Sequence, residues 1–190
     1  MGISGFIVLA LLIVGGVYCI MLYNSLVQIK HNVSKAWANI DVLLKQRHDE
    51  LPKLVETCKQ YMRYEQETLE RVMQARDGVA AARESQDMPA LGHAEVVLRK
   101  GLGGLFAVAE AYPDLKANQD FQFLQQRISG LENAIADRRE YYNESVNINN
   151  VRIEQFPDAV LARLFNFGSF DLLQFQTVEK QDVDIKHLFD

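Results

Sequence analysis

The feature that most constrains this chain is its start. Residues 2–29 carry no charged side chain, and Ile3 to Leu22, "ISGFIVLALLIVGGVYCIML", is a nearly unbroken apolar run of 20 residues. As a helix rising about 1.5 Å per residue, such a run covers the roughly 30 Å hydrocarbon layer of a bilayer. A cleaved signal peptide is the competing reading. It calls for a basic start, a shorter apolar stretch and a small-x-small cleavage site. "MGISG" holds no Lys or Arg, and Tyr18 directly before Cys19 does not suit lipoprotein cleavage. The expectation is an uncleaved single-pass anchor over residues 1–23, with the lipid bilayer as its first partner. Lys30 and Lys35, then Lys45 and Arg47, follow the run. The positive-inside rule then puts the C-terminal domain in the cytoplasm. Tyr18 and Tyr23 are placed to sit at the membrane interfaces, and Gly15 and Gly16 leave room for close helix contact within the membrane.

Beyond Tyr23 the apolar residues recur at steps of three and four. Leu26, Ile29, Val33, Trp37, Ile40 and Leu44 continue the anchor helix to about His48. "HDELP" reads as a break, because Pro52 is disfavoured inside a helix and suited to a first turn. A second run over 51–83 places Leu51, Leu54, Cys58, Tyr61, Glu65, Leu69, Val72, Ala75 and Val79 on one face. A third covers 89–112, with Leu91, Ala94, Leu98, Leu102, Leu105, Val108 and Ala109. Gly101, Gly103 and Gly104 within it predict either tight helix contact or a bend, since each glycine costs on the order of 1 kcal/mol relative to Ala in a helix. A fourth covers 118–155, with Phe121, Leu124, Ile128, Leu131, Ile135, Tyr142, Val146, Asn149 and Ile153. Strand patterns are almost absent. The expected fold is all-α: the transmembrane helix continues into an antiparallel four-helix bundle over 24–157, followed by a Phe-rich amphipathic tail over 158–190. Phe165, Phe167, Phe170 and Phe175 give that tail too much apolar surface to leave in water. It either caps the bundle, binds another subunit or lies on the membrane.

The chain offers little chemistry. Net charge is −5, and the eight acidic and ten basic residues of 30–83 form no strong basic stripe, which argues against nucleic acid. Cys19 and Cys58 are badly placed to pair, and neither has metal-site spacing. Cys58 falls on an apolar face and reads as a core residue rather than a nucleophile. His31, His48, His93 and His187 lie apart, and no Glu-x-x-His pair of a di-iron bundle is present. No phosphate-binding glycine loop or nucleophile elbow occurs. The expectation is no enzyme activity, no cofactor and no metal. Glu65, Arg138 or Arg139, and Asn149 fall on core-facing stripes; an internal hydrogen-bonded network explains them more simply than a ligand pocket. In "EAYPDLKAN", Tyr112 and Pro113 end one helix and Asn118 caps the next. Glu110, a turn before the break, opposes the helix dipole and calls for a partner, Lys116 or an arginine of the next helix.

Three pieces, "YNSLVQIKHNVSKAWANIDVLLKQRHDELPKLVETCKQY", "AEAYPDLKANQDFQFLQ" and "REYYNESVNINNVRIEQFP", lie in order over most of 23–157. Together they resemble the bacterial LemA family. The resemblance implies a single span followed by a helical bundle at the bacterial inner membrane, and brings no agreed catalytic residues. Gln46, Lys53 and Asn149 depart from the family's usual Arg, Asn and aromatic, which argues against a fixed site there. The expected function is a non-enzymatic, membrane-anchored interaction or scaffold protein that forms homo-oligomers, contacts other membrane proteins and organises or remodels the membrane. Trp37, Tyr112, Phe165, Phe167 and Phe170 are its candidate contact residues. The alternative is a tethered sensor for signalling or envelope stress, with Glu110, Lys116, Arg138 and Tyr142 around a polar pocket.

Overall fold

The computed structural model describes residues 3–175, and every regular element among them is a helix. In chain order these are α1 (Ile3–Lys59), α2 (Gln66–Glu84), α3 (Met88–Ala109), α4 (Pro113–Ala117), α5 (Gln119–Glu154) and α6 (Asp158–Leu164). Residues 165–175 follow without regular structure. His187 and most of the acidic C-terminal end lie outside the described residues.

One expected boundary is wrong. The helix does not stop near His48: α1 runs unbroken for 57 residues, through Pro52. Proline within a helix removes the N–H that would bond the carbonyl four residues earlier, here that of His48. Arg76 of α2 replaces that donor. Its Nε donates to the His48 carbonyl at 3.0 Å, and its Nη2 lies 2.6 Å from His48 Nε2. Since a guanidinium only donates, His48 Nε2 accepts and the imidazole is neutral. Burial, then the Arg76 charge, holds the His48 pKa below its usual value. The real break is the turn between Lys59 and Gln66. There the N–H groups of Tyr61 and Met62 both bond the Cys58 carbonyl. The second predicted run therefore begins at Gln66 rather than at 51.

The chain divides into two compact units. The first takes the residues up to Leu44 and Glu132–Leu172. Leu26, Val33, Ala36, Ile40 and Leu44 of α1 are buried there, as are Ile135, Tyr142, Val146 and Asn149 of α5. Ser25 meets Arg152 and Trp37 meets Tyr142, so the two helices run antiparallel within this unit.

The second unit takes Lys45–Leu131 and the chain from Leu173. Leu51, Leu54 and Cys58 of α1, Leu69, Val72 and Val79 of α2, Leu91, Leu98, Leu102 and Leu105 of α3, and Phe121 and Ile128 of α5 form its core. α2 and α3 pack as a helical hairpin. Its turn satisfies the end of α2 with two backbone bonds, Asp87 N–H to Ala82 O at 3.2 Å and Gln86 N–H to Arg83 O at 3.1 Å. This arrangement puts Gln86 in the left-handed region, φ 53°. Asp87 then caps α3 by accepting from the Ala90 N–H at 2.9 Å.

α3 runs through the three clustered glycines without interruption. A Cβ at Gly101 would meet Val72 Cγ2 at an ordinary 3.6 Å, and Gly103 and Gly104 have nothing within 4 Å. The glycine that matters is Gly92, where a Cβ would meet the Gln174 carbonyl oxygen at 2.0 Å. Residues 173–175 thus lie directly on α3. Leu173 and Phe175 are buried, and the Arg99 guanidinium sits 5.5 Å from the Phe175 ring centroid.

Candidate functional site

In the first unit, the apolar half of α1 is bare. Its mean hydropathy reaches 2.7 over an 18-residue window, and none of that window is buried in the protein. It is the one helix among the described residues long and apolar enough to cross a bilayer, a candidate membrane anchor. Tyr23 marks its end. The Tyr23 ring meets Phe165 edge-on at 4.8 Å and Phe167 at 5.9 Å between centroids. The Phe-rich segment therefore begins where the apolar run ends.

That segment is held to α5 by its polar side chains. Asn150 acts as a strand-like partner: its Oδ1 accepts from Phe170 N–H at 3.0 Å and its Nδ2 donates to Phe170 O at 2.9 Å. Asn149 donates to Gly168 O at 3.1 Å. Tyr142 donates to Asp171 O at 3.0 Å while its ring stands edge-on to Trp37, centroids 6.1 Å apart. Burial, with Asp171 nearby, raises the Tyr142 pKa, so the phenol keeps the proton it donates. Each bond satisfies backbone that is in no helix or sheet. This is the role of "YYNESVNINN": it ties residues 168–171 to α5. α6 begins at Asp158, which is 3 % exposed and 3.2 Å from Arg152 Nη2. The same Nη2 donates to Ser25 Oγ at 3.3 Å. α6 ends with Asn166 at φ 56°, while the Phe167 N–H bonds the Ala162 carbonyl at 2.9 Å.

Five of the nine residues singled out from the sequence thus fall in one construction: Trp37, Tyr142, Phe165, Phe167 and Phe170. Trp37, Phe167 and Phe170 are half-buried, and Phe165 is exposed. Arg138 is exposed on α5, while Arg139 is half-buried. Asn149 belongs to the internal network expected of it. Asn150 escaped notice, because a polar residue beside the apolar stripe of a helix looks like its solvated edge.

In the second unit, Glu110 is paired with Lys116 across the turn, and both are exposed. Tyr112 is half-buried beside them. Asn118 caps α5, accepting from the Phe121 N–H at 2.9 Å. Pro113 opens the short α4 instead of a plain turn, anchored by the buried Leu115. Glu65 is half-buried at the start of α2 and makes no side-chain cap.

The unit's most buried charges are Arg47 and Glu95. Arg47, expected as a cation flanking the membrane, is 1 % exposed, and Glu95 of α3 is 2 % exposed. They form a forked ion pair, with Arg47 Nη1 donating to Glu95 Oε2 at 3.0 Å and Nη2 to Oε1. Glu95 had a signal in the sequence: it stands four residues after Leu91 and three before Leu98, on the core stripe. Lys30, Lys35 and Lys45 remain exposed. Glu50 accepts from Lys53 and from Arg127 of α5, at 3.1 and 2.9 Å, and both bonds hold its pKa below the usual carboxylate value against burial. A groove of about 550 Å³ lies between the end of α1 and α2, lined by Val55, Met62, Leu69 and Met73 and edged by Lys59, Arg63 and Asp77. Among the described residues, no three His, Cys, Asp or Glu side chains gather as a metal site.

Sequence comparison bears on this geometry. The profile of the LemA family matches residues 36–187. The chain is 25% identical to Protein LemA of Metamycoplasma hominis over 166 residues, covering 87% of this chain and 74% of that protein. It is also 32% identical over 73 residues to the magnetosome proteins MamQ 1 and MamQ 2 of Paramagnetospirillum magneticum. That match covers 38% of this chain and only 27% of either protein.

Proposed function

The chain belongs to the LemA family, and from that premise we propose that it is a non-enzymatic, membrane-anchored interaction protein. It spans the bacterial inner membrane once through α1, with the helical body in the cytoplasm. There it self-assembles, contacts other membrane proteins and organises the surrounding membrane. The body is read as an antiparallel four-helix bundle built from α1 beyond the span, α2, α3 and α5. The observation that carries the proposal is the bare apolar half of α1, which ends against an aromatic cluster locked in place by Asn149, Asn150 and Tyr142. The exposed Lys30 and Lys35 support the orientation. The exposed Phe123, Tyr141, Ile148 and Val151 of α5 supply apolar surface for contacts.

Light scattering of the full chain in a gentle detergent tests self-assembly. The expected mass is that of two or more chains, and a monomer at every concentration overturns it. Removing everything after Pro157 is a poor test, because Asp158, Ala162, Leu173 and Phe175 are buried.

A second reading, a tethered ligand-binding sensor, is favoured by the α1/α2 groove, whose methionines and flanking charges suit a small amphipathic molecule. A ligand that binds only the folded protein raises its melting temperature. A thermal-shift screen in which Met73→Ala abolishes such a rise would support this reading.

A further inference from the structure

α6 lies at the end of the bare apolar helix and exposes an apolar face of its own. Phe156 is 85 % exposed, Val160 59 %, Leu164 72 % and Phe165 52 %. Val160 and Leu164 are four apart and share one face of α6. Phe156 and Leu164 are the most open of the four, while Phe165 keeps half its surface exposed beside its contact with Tyr23. The buried side of the same helix is anchored at both ends near one level of α1. Its first turn is tied through Asp158 and Arg152 to Ser25, and Phe165, the residue just past its end, meets Tyr23. Tyr23 and Ser25 differ by about 3 Å along the α1 axis, at 1.5 Å per residue. A seven-residue helix is about 10 Å long, so α6 stays close to the level of Tyr23 and Ser25 along its whole length.

From this geometry we infer that α6 is a membrane foot, a short interfacial helix that sets Phe156, Val160, Leu164 and Phe165 into the headgroup boundary of the bilayer that α1 crosses. The inference rests on the reading of α1 as a span. The occupant is lipid, because the apolar face is continuous through Phe165 and Tyr23 with the helix that would lie in lipid. Phe and Leu at this depth, with the exposed Arg163 on the same helix to reach phosphates, match an in-plane interfacial helix. A foot of this kind fixes the rotation of α1 and the height of the body above the membrane. The aromatic and asparagine contacts behind it are what keep it level.

The test is depth-dependent fluorescence quenching of the full chain in vesicles of equal parts phosphatidylcholine and phosphatidylglycerol. Single reporters are placed in a Trp37→Phe background: Ile13→Trp within the run, Leu164→Trp on α6, and Tyr64→Trp in the exposed turn after α1. All three reporter sites are exposed, and the Phe of the common background keeps an aromatic ring against Tyr142 at the half-buried position 37. Expected is at least twofold quenching of the Leu164→Trp reporter by a nitroxide near the headgroup, weak quenching of it by a deep nitroxide, and the reverse order for Ile13→Trp. Tyr64→Trp should be quenched by neither. A quenched Ile13→Trp beside an unquenched Leu164→Trp overturns the foot while the span stands. A Leu164→Trp emission that is blue-shifted yet insensitive to either lipid nitroxide assigns the face to a second protein surface and overturns it too. An unquenched Ile13→Trp removes the span, and the foot with it.

Discussion

Replacing Arg47 by Met should be among the most damaging single changes outside the membrane segment, and replacing Glu95 as well should largely undo the damage. An exposed ion pair contributes about 0–1 kcal/mol, so its loss would scarcely register. Arg47 and Glu95 are 1 % and 2 % exposed, and in their forked contact Arg47 neutralises the Glu95 carboxylate. Taking Arg47 away strands the Glu95 charge in the core, which costs about 3–5 kcal/mol. That is a large share of the roughly 5–15 kcal/mol that holds a domain folded. Swapping both for apolar residues of similar size leaves no stranded charge and is close to neutral. A double-mutant cycle on the full chain in detergent is the assay. Urea unfolding is followed by far-ultraviolet circular dichroism for wild type, Arg47→Met, Glu95→Leu and the pair. Expected is a loss of about 3–5 kcal/mol for Arg47→Met, with the double variant within about 2 kcal/mol of wild type. An Arg47→Met variant costing under about 1 kcal/mol, or a double variant costing the sum, would refute the reasoning, because the pair would then behave as a solvated one.

Three further outcomes follow from the same core. Gly103→Ala and Gly104→Ala should each stabilise by about 0.5–1 kcal/mol, since helical backbone and open space both accept a methyl group, whereas Gly92→Ala should destabilise and free residues 173–175 to proteolysis; equal effects at the three sites would contradict the close approach of Gln174. The folded state lowers the His48 pKa, so the unfolded chain binds the proton more readily; this contribution to stability is complete above the ordinary value of 6.5 and falls as pH drops below it, and urea midpoints should show this loss in wild type and less of it in His48→Gln. Burial pushes the Cys58 thiol up to about 12, so a maleimide added to detergent-solubilised native protein should label Cys19 and reach Cys58 only after unfolding; rapid labelling of Cys58 in the folded state would show that the second unit's core opens freely.

Much of this was legible from residue spacing. The steps of three and four that mark Leu26, Val33, Ile40 and Leu44, or Phe121, Leu124 and Ile128, are a property of neighbouring turns of one helix, and the same residues are buried. Asn118 as a cap and Lys116 as the partner of Glu110 were readable for the same reason, since both act within a few residues of chain. The candidate contact residues were legible only as a set of aromatics. What brings Trp37 to Tyr142 and Phe165 to Tyr23 is a separation of more than a hundred residues, which no local pattern encodes.

By itself, then, the sequence determined the apolar run, the all-helical character and the core stripes, because each depends on side chains one or two turns apart. The tertiary structure decided the rest. Pro52 would end a helix on local grounds, and α1 continues because Arg76, 24 positions later, supplies the hydrogen bond that proline removed. Glu95 would be misplaced on a core stripe, and it stays because Arg47 reaches it from another helix. Residues 168–171 have no regular structure of their own, and they hold their course because Tyr142, Asn149 and Asn150 satisfy their backbone. In each case a local cost is offset by a partner distant in sequence. Only folding brings such partners within hydrogen-bond distance.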